Sequence, residues 1–385
     1  MFVSDTVKYV GVNDNDIDLF EGQYVVKNGM AYNSYVVFDT KAVAVFDTVD
    51  AKFKNEWLAN VKTALGGKTP DYLVSLHTEP DHSANIYEFK KVYPNVKIVA
   101  SAKAFVFMKQ FFGTDFEDGR VIVGEGDKLD LGGRTLTFYT APMVHWPEVI
   151  VAYDDKDKIL FSADAFGKFG AIGTDEDWAC EARRYYFGIV GKYGVQAKAL
   201  LNKAALLDIK TICPLHGPVL SDNLGYYLGL YNTWASYGVE SEGVMIAYTS
   251  VYGHTAAAAK LLADELAAKG APKVVLADLA REDLAECVED AFRYGKLVLA
   301  TTTYNGDIFP FMKHFIDALV ERNYQNRKIA FIENGTWAPI AAKIMKKAFE
   351  NSKNVEFCET TVTLKSALNG ESVSAVKALA DELLR

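Results

Sequence analysis

The segment His77-Thr78-Glu79-Pro80-Asp81-His82 places two imidazoles and two carboxylates within six residues, directly after the apolar run Tyr72 to Leu76. Imidazole nitrogen suits first-row transition metals, and carboxylate oxygen moves the preference toward harder ions such as iron and manganese. A zinc site in such a loop would carry more His or Cys and fewer acids. The segment is therefore expected to bind a metal other than zinc.

Three further donors stand where an apolar run gives way to a loop. His145 precedes Trp146-Pro147, Asp164 closes Phe161-Ser162-Ala163-Asp164, and His216 sits in Cys213-Pro214-Leu215-His216-Gly217-Pro218. Proline stiffens several of these loops. The competing reading is a solvated loop whose Asp81 or Ser83 caps a helix beginning near Ala84. Three strand-end donors beside the cluster weigh against it. Tyr24, Trp146 and Tyr193 read as core aromatics.

A second constellation lies downstream. Thr249-Ser250-Val251-Tyr252-Gly253-His254-Thr255 joins an apolar strand to a helical pattern. Hydroxyls and backbone amides at a helix N-terminus form an anion site. The loop lacks both the Lys of a P-loop and a G-x-G-x-x-G run. A phosphate held without Lys or Arg fits a flavin mononucleotide (FMN) better than ATP. Two more strand ends carry Thr302-Thr303-Tyr304-Asn305-Gly306-Asp307 and Asn334-Gly335-Thr336-Trp337-Ala338-Pro339.

The elements that position these residues change character near residue 240. Before it, apolar and polar residues alternate in hairpin fashion, over Lys128 to Tyr139 around Gly132-Gly133 and over Val149 to Phe161 around Asp154 to Asp157. Helical segments such as Ala102 to Phe112 intervene. Mixed hairpins and helices predict an α+β layered sandwich. After it, strands at 243–249, 273–277, 296–301, 328–333 and 355–362 alternate with helices at 255–269, 283–294, 311–323, 338–352 and 372–384. That alternation predicts a doubly wound parallel sheet, whose ligands bind at the carboxyl ends of its strands. The polar, glycine-flanked Tyr237 to Gly243 reads as the linker, giving domains 1–240 and 241–385.

Composition limits the partners. The 385 residues are 50% hydrophobic, 13% aromatic and 24% charged, an ordinary globular balance with room for two cores. A formal charge of -9, with no Lys/Arg run, argues against nucleic acid or anionic membrane as partner. Cys180, Cys213, Cys287 and Cys358 lie far apart without a C-x-x-C, which excludes a thiolate iron–sulfur or rubredoxin-type centre within the chain. Scattered thiols, the lack of a signal-like N-terminus and the lack of an apolar run of roughly 20 residues predict a cytoplasmic protein.

The ordered set H-x-E-x-D-H, then His145, Asp164 and His216, resembles the metallo-β-lactamase fold, an αββα sandwich, with one departure. Its zinc hydrolases carry H-x-H-x-D-H, whereas Glu79 stands at the second position here. That replacement resembles the flavodiiron proteins, and so does the order of a metal domain followed by a flavodoxin-like domain of strand order 2-1-3-4-5. The resemblance implies two non-haem iron ions: His77, Glu79 and His145 on one, Asp81 and His216 on the other, and Asp164 bridging. It leaves His82 off the metal. It also implies FMN bound by Thr249 to Thr255, Thr302 to Gly306 and Asn334 to Trp337, with Tyr304 and Trp337 as the flanking aromatics. The His254 position is usually Asn in flavodoxins.

The activity so implied is reduction of O2 to water, of NO to N2O, or of both. The resemblance further implies a head-to-tail homodimer or dimer of dimers, and a separate electron donor, either a rubredoxin-like protein or a reduced soluble cofactor. Two other classes stand beside it. One is a zinc hydrolase with a flavodoxin domain, which Glu79 opposes. The other is a non-catalytic flavin electron carrier, which the complete ligand set opposes.

Overall fold

The structure, a computed structural model, describes residues 2–175 and 177–385, leaving out Met1 and Glu176. The chain divides into two compact units, Met1–Asn232 and Thr233–Arg385. The division falls inside the helix Leu224–Ala235, and the strand Ser241–Tyr248 begins within the segment read as linker.

The first unit contains two mixed sheets. In the seven-stranded sheet, Phe2–Ser4, Val7–Tyr9, Tyr35–Phe38 and Val43–Phe46 run antiparallel in sequence, and Tyr72–Val74, Lys97–Ala100 and Arg120–Ile122 continue it in parallel. The five-stranded sheet holds both expected hairpins, Lys128–Asp130 with Thr135–Thr140 and Ile150–Asp154 with Ile159–Phe161. Thr211–Cys213 adds to its edge in parallel. The inner faces meet through aromatic rings. Phe46 of the first sheet stacks on Phe161 of the second at 4.1 Å between centroids, and Tyr35 meets the same ring edge-on. Such rings each contribute roughly 1.5–3 kcal/mol on burial.

Helix Ala102–Phe112 has the span its pattern predicts. Ser101 starts it by accepting from Ala104 N, and Gly113 ends it in the left-handed region. Around the metal-type loop the outcome differs from the capping reading. A four-residue helical turn, Pro80–Ser83, forms inside the segment itself, and the next helix is Ile86–Val92. Neither Asp81 nor Ser83 caps that helix. Its N-cap is Asn85, which makes no side-chain cap bond, and the Ser83 hydroxyl donates instead to Thr78 O at 2.8 Å.

The second unit is a parallel sheet in the order Val274–Asp278, Ser241–Tyr248, Tyr294–Tyr304, Lys328–Asn334, Glu356–Leu364, which is 2-1-3-4-5. Its central strands are buried on both faces, the usual fate of a near-continuous apolar run. Val244, Ile246, Val298 and Ile332 form a core with Leu262 of helix His254–Ala268 and Leu379 of helix Gly370–Leu384. Two details depart from expectation. Asp307–Ile308 pairs antiparallel with the end of Tyr294–Tyr304. The fourth helix, Ala341–Ala348, is shorter than expected at both ends, and the left-handed Ala338 delays its start. Among the described residues, no helix is long and apolar enough to cross a membrane.

Candidate metal centre and flavin pocket

The loop 77–82 is fixed at its base by Asp47. This residue ends the strand Val43–Phe46 with φ 50°. Its Oδ1 accepts from Leu76 N at 2.8 Å and His77 N at 3.3 Å. Thr48 closes the far end, donating from both N and Oγ1 to His82 O at 2.7 and 2.8 Å. Burial pushes the Asp47 carboxyl up to about 8 against the pull of those two amides.

Held this way, the loop meets the three strand-end donors. His77 Nε2 and His145 Nε2 lie 3.3 and 2.9 Å from Glu79 Oε2. The same two nitrogens lie 3.6 and 3.2 Å from Asp164 Oδ2. These four residues form one group with the reach of a single ion. Asp81, His82 and His216 form another. There Asp81 Oδ2 lies 3.3 Å from His82 Nε2 and 3.4 Å from His216 Nε2, and the two rings approach to 3.1 Å. The other Asp164 oxygen, Oδ1, faces this second group, 3.2 Å from His82 Nε2 and 3.9 Å from His216 Nε2. All six expected ligands thus converge. His82, expected off the metal, converges with them, because the turn Pro80–Ser83 swings its ring inward.

The donor chemistry fits two cations. Among the described residues, both carboxylate oxygens of Asp81 and of Asp164 are buried without a hydrogen-bond partner, a costly state unless a positive charge faces them. Burial works against the charged form of His145, yet Asp164 and Glu79 outweigh it and raise this imidazole to about 9. Burial works to raise Glu79, and the bonds from His145 and His77 overcome it and hold the carboxyl near 2. Asp164 is likewise held well below the carboxylate range, burial being overcome by His82 and His77. The pocket thus stabilises positive charge at its centre. Metal ions supply that charge without protons.

Two residues beside the expected ligands were not read from the sequence. Glu148 is buried and its Oε1 lies 2.7 Å from His77 Nδ1, and Ala31 O lies 2.7 Å from His216 Nδ1. Burial raises the Glu148 carboxyl, and the bonds from His77 and Thr78 more than reverse it. The available signal for Glu148 was its place three residues after His145. Trp146 stands against the site, its ring centroid 5.3 Å from that of His77.

In the second unit a cavity of about 540 Å³ opens at the carboxyl ends of the strands, within the size range of cofactor pockets. Ser250, Val251, Tyr252, His254 and Thr255 line it from the first loop. Thr302, Thr303, Tyr304, Asn305 and Gly306 line it from the second, and Asn334, Gly335, Thr336 and Trp337 from the third. Thr249, buried, and Gly253, exposed, are outside this lining. Thr249 Oγ1 pairs with Thr301 Oγ1 at 2.6 Å under the strand ends, and left-handed Gly253 donates from N to Ser250 Oγ at 3.1 Å. The expected set omits Ala338, Ile340 and Ser366, which also line the cavity. Ser366 is placed by Asn334, which donates from Nδ2 to Ser366 O at 2.9 Å and accepts from Ser366 N at 3.0 Å. Among the described residues, no lining side chain is Lys, Arg, Asp or Glu, so hydroxyls and amides would hold a phosphate.

A metallo-β-lactamase-like metal domain joined to a flavodoxin domain defines a flavin- and metal-dependent oxidoreductase. The comparisons with known proteins agree. The family model described as ODP family beta lactamase matches residues 30–217, and that of the flavodoxin domain matches residues 245–369. The nitric oxide reductase of Moorella thermoacetica is 29% identical over 382 residues, spanning 96% of this chain and 94% of that protein. The anaerobic nitric oxide reductase flavorubredoxin of Escherichia coli is 27% identical, spanning 92% of this chain and 77% of its own length. Rubredoxin oxygen:oxidoreductase from Desulfovibrio gigas superposes with a TM-score of 0.90 at 25% identity, covering 99% of this chain and 96% of that one. The flavodiiron protein from Giardia intestinalis matches at the same TM-score, 0.90, and 25% identity, covering 98% and 94%. The chain belongs to the flavodiiron proteins. FMN and a non-haem di-iron centre are the cofactors that its two domains support.

Proposed function

We propose that this flavodiiron protein reduces O2 to water, NO to N2O, or both. In this reading His77, Glu79 and His145 hold one iron, Asp81 and His216 hold the other, and Asp164 bridges them. The observation that carries it is the division of the Asp164 carboxylate, with Oδ2 toward His145 and His77 and Oδ1 toward His82 and His216. Two ferrous ions held there would supply electrons and open coordination positions for a small gas.

The residues of the chain do the rest. Glu148 and Ala31 O hold the far nitrogens of His77 and His216, which leaves each Nε2 turned inward. Glu79, Asp81 and Asp164 bring three negative charges against two divalent ions, leaving about one positive charge. That residue of charge favours binding of a small polarisable or anionic species. Electron counting supports both gases. A flavin and a di-iron pair together store four electrons, enough to take O2 to two waters, and two electrons suffice to join two NO molecules as N2O.

A rubredoxin-like protein is the donor proposed first, on the strength of the names of the relatives from Escherichia coli and Desulfovibrio gigas. A reduced soluble cofactor is the other. A head-to-tail homodimer, or a dimer of such dimers, is proposed as the working assembly, so activity per chain should fall on dilution with the monomer fraction.

The central test replaces Glu79 or Asp164 by Ala and follows anaerobic turnover with each gas and each donor. Gas reduction should be abolished while the FMN absorbance remains. Retained turnover in both variants would refute the assignment.

A further inference from the structure

The segment His145-Trp146-Pro147-Glu148 surrounds a ligand that it does not itself contain. His145 approaches the same Glu79 oxygen as His77, Trp146 packs edge-on against the His77 ring, and Glu148 meets its outer nitrogen. Glu148 Oε1 lies 2.7 Å from His77 Nδ1 and accepts from Thr78 N at 2.9 Å and Thr78 Oγ1 at 2.8 Å. The side chain is fully buried, and among the described residues Oε2 has no hydrogen-bond partner. The backbone of Glu148 is fixed as well, since its carbonyl accepts from Ser101 Oγ at 2.8 Å.

We propose that Glu148 is the positioning residue of the metal subsite formed by His77, Glu79 and His145, locking His77 as its Nδ1–H tautomer and tightening the hold of that subsite on its ion. The inference rests on the metal reading above and extends it to a residue that touches no ion.

Three observations make the role selective. The carboxylate is three residues from one ligand and bonds to another, so a single group sets the relative position of His77 and His145. Among the described residues its ion-pair partner is His77, with no Lys or Arg beside it. A buried carboxylate needs positive charge opposite it, and the His77 ring gains positive character when Nε2 binds a cation. Ion binding and the buried charge of Glu148 therefore favour one another. The second group lacks this arrangement, because His216 Nδ1 meets a neutral carbonyl, that of Ala31.

The test is an anaerobic titration of the FMN-loaded full chain with ferrous ion. The wild type should bind two ions per chain. In Glu148→Gln, one ion should weaken on the order of 10- to 100-fold, while the other keeps its affinity and FMN content is unchanged. The rise in thermal midpoint on iron loading should shrink accordingly. Glu148→Asp should restore part of the lost affinity, and Thr78→Val, which leaves the carboxylate in place, should stay near wild type. Wild-type affinity for both ions in Glu148→Gln would overturn the proposal. Equal loss of both ions, which a merely structural role would give, would overturn it too. Should Glu148→Gln fail to fold, Glu148→Asp decides, since undiminished binding of both ions in that variant would also overturn it. A wild-type chain that binds fewer than two ions overturns the metal reading and this inference with it.

Discussion

Glu79 Oε2 lies 2.9 Å from His145 Nε2, which puts an acid between two imidazoles where a zinc hydrolase of this fold would hold a third ring. The carboxyl is kept near 2 by His145 and His77 against the effect of burial, so it is ionised at any working pH. Its charge and oxygen donor tilt the subsite toward iron. Glu79→His should therefore raise the zinc-to-iron ratio after reconstitution in equal mixtures of the two ions. Metal analysis would show this, and a ratio equal to wild type would mean that Glu79 does not select the metal.

Asp47 makes stability depend on pH in a definite direction. Its folded-state value of about 8 lies above the roughly 3.9 of an unfolded Asp. Between these values the native chain keeps the proton and the unfolded chain loses it. The contribution is fully present below about 4 and is lost as pH rises through about 8, at no more than about 1.4 kcal/mol per pH unit. Asp47→Asn keeps an oxygen for Leu76 N and His77 N and cannot ionise. In metal-free protein the wild-type thermal midpoint should fall relative to Asp47→Asn as pH rises from 4 to 8. Parallel pH profiles would contradict the assignment.

What the sequence displayed and what it hid follow from the range of the forces involved. Apolar periodicity is local, so the parallel strands, both hairpins and the helix Ala102–Phe112 were readable from it. His77, Glu79 and Asp81 share one short segment, and His145, Asp164 and His216 could be found because strand ends collect functional groups. The inward turn of His82 depends on the helical turn Pro80–Ser83, which is too short to leave a period. Glu148 and Asp47 act through contacts with His77 from 71 and 30 residues away, and Ser366 through its pairing with Asn334 across 32. No local pattern encodes those pairings.

Asn334 supports the flavin pocket through the loop behind it. It exchanges two hydrogen bonds with Ser366 and donates a third to Thr255 Oγ1 at 3.3 Å. Ser366 holds φ 79°, an unfavourable conformation for a residue with a side chain, so the loop depends on these bonds. At about 1 kcal/mol for each neutral bond, Asn334→Ala should weaken FMN binding by roughly 10- to 100-fold. Fluorescence quenching of FMN added to flavin-free protein measures this directly. Iron stoichiometry should not change, and a variant losing both cofactors would point to global unfolding instead.

Gly217 follows His216, a ligand in the proposed reading, and has no room for a side chain. Its φ is +76°, and a Cβ built there would stand 2.7 Å from Lys168 Cγ and 3.4 Å from Lys168 N. Its carbonyl accepts from Asn33 Nδ2 at 2.8 Å, which ties the His216 loop to the start of the strand Tyr35–Phe38. Alanine would add about 1–2 kcal/mol of left-handed strain and a contact that must push Lys168 aside. Because Lys168 is buried, the loop is expected to move as well, carrying His216 away from Asp81 and His82. Gly217→Ala should thus lower the thermal midpoint and lose the ion of the His216 subsite first, leaving FMN in place. Iron titration beside melting curves separates the two effects, and full iron occupancy with a lowered midpoint would show that the loop absorbs the strain without moving His216.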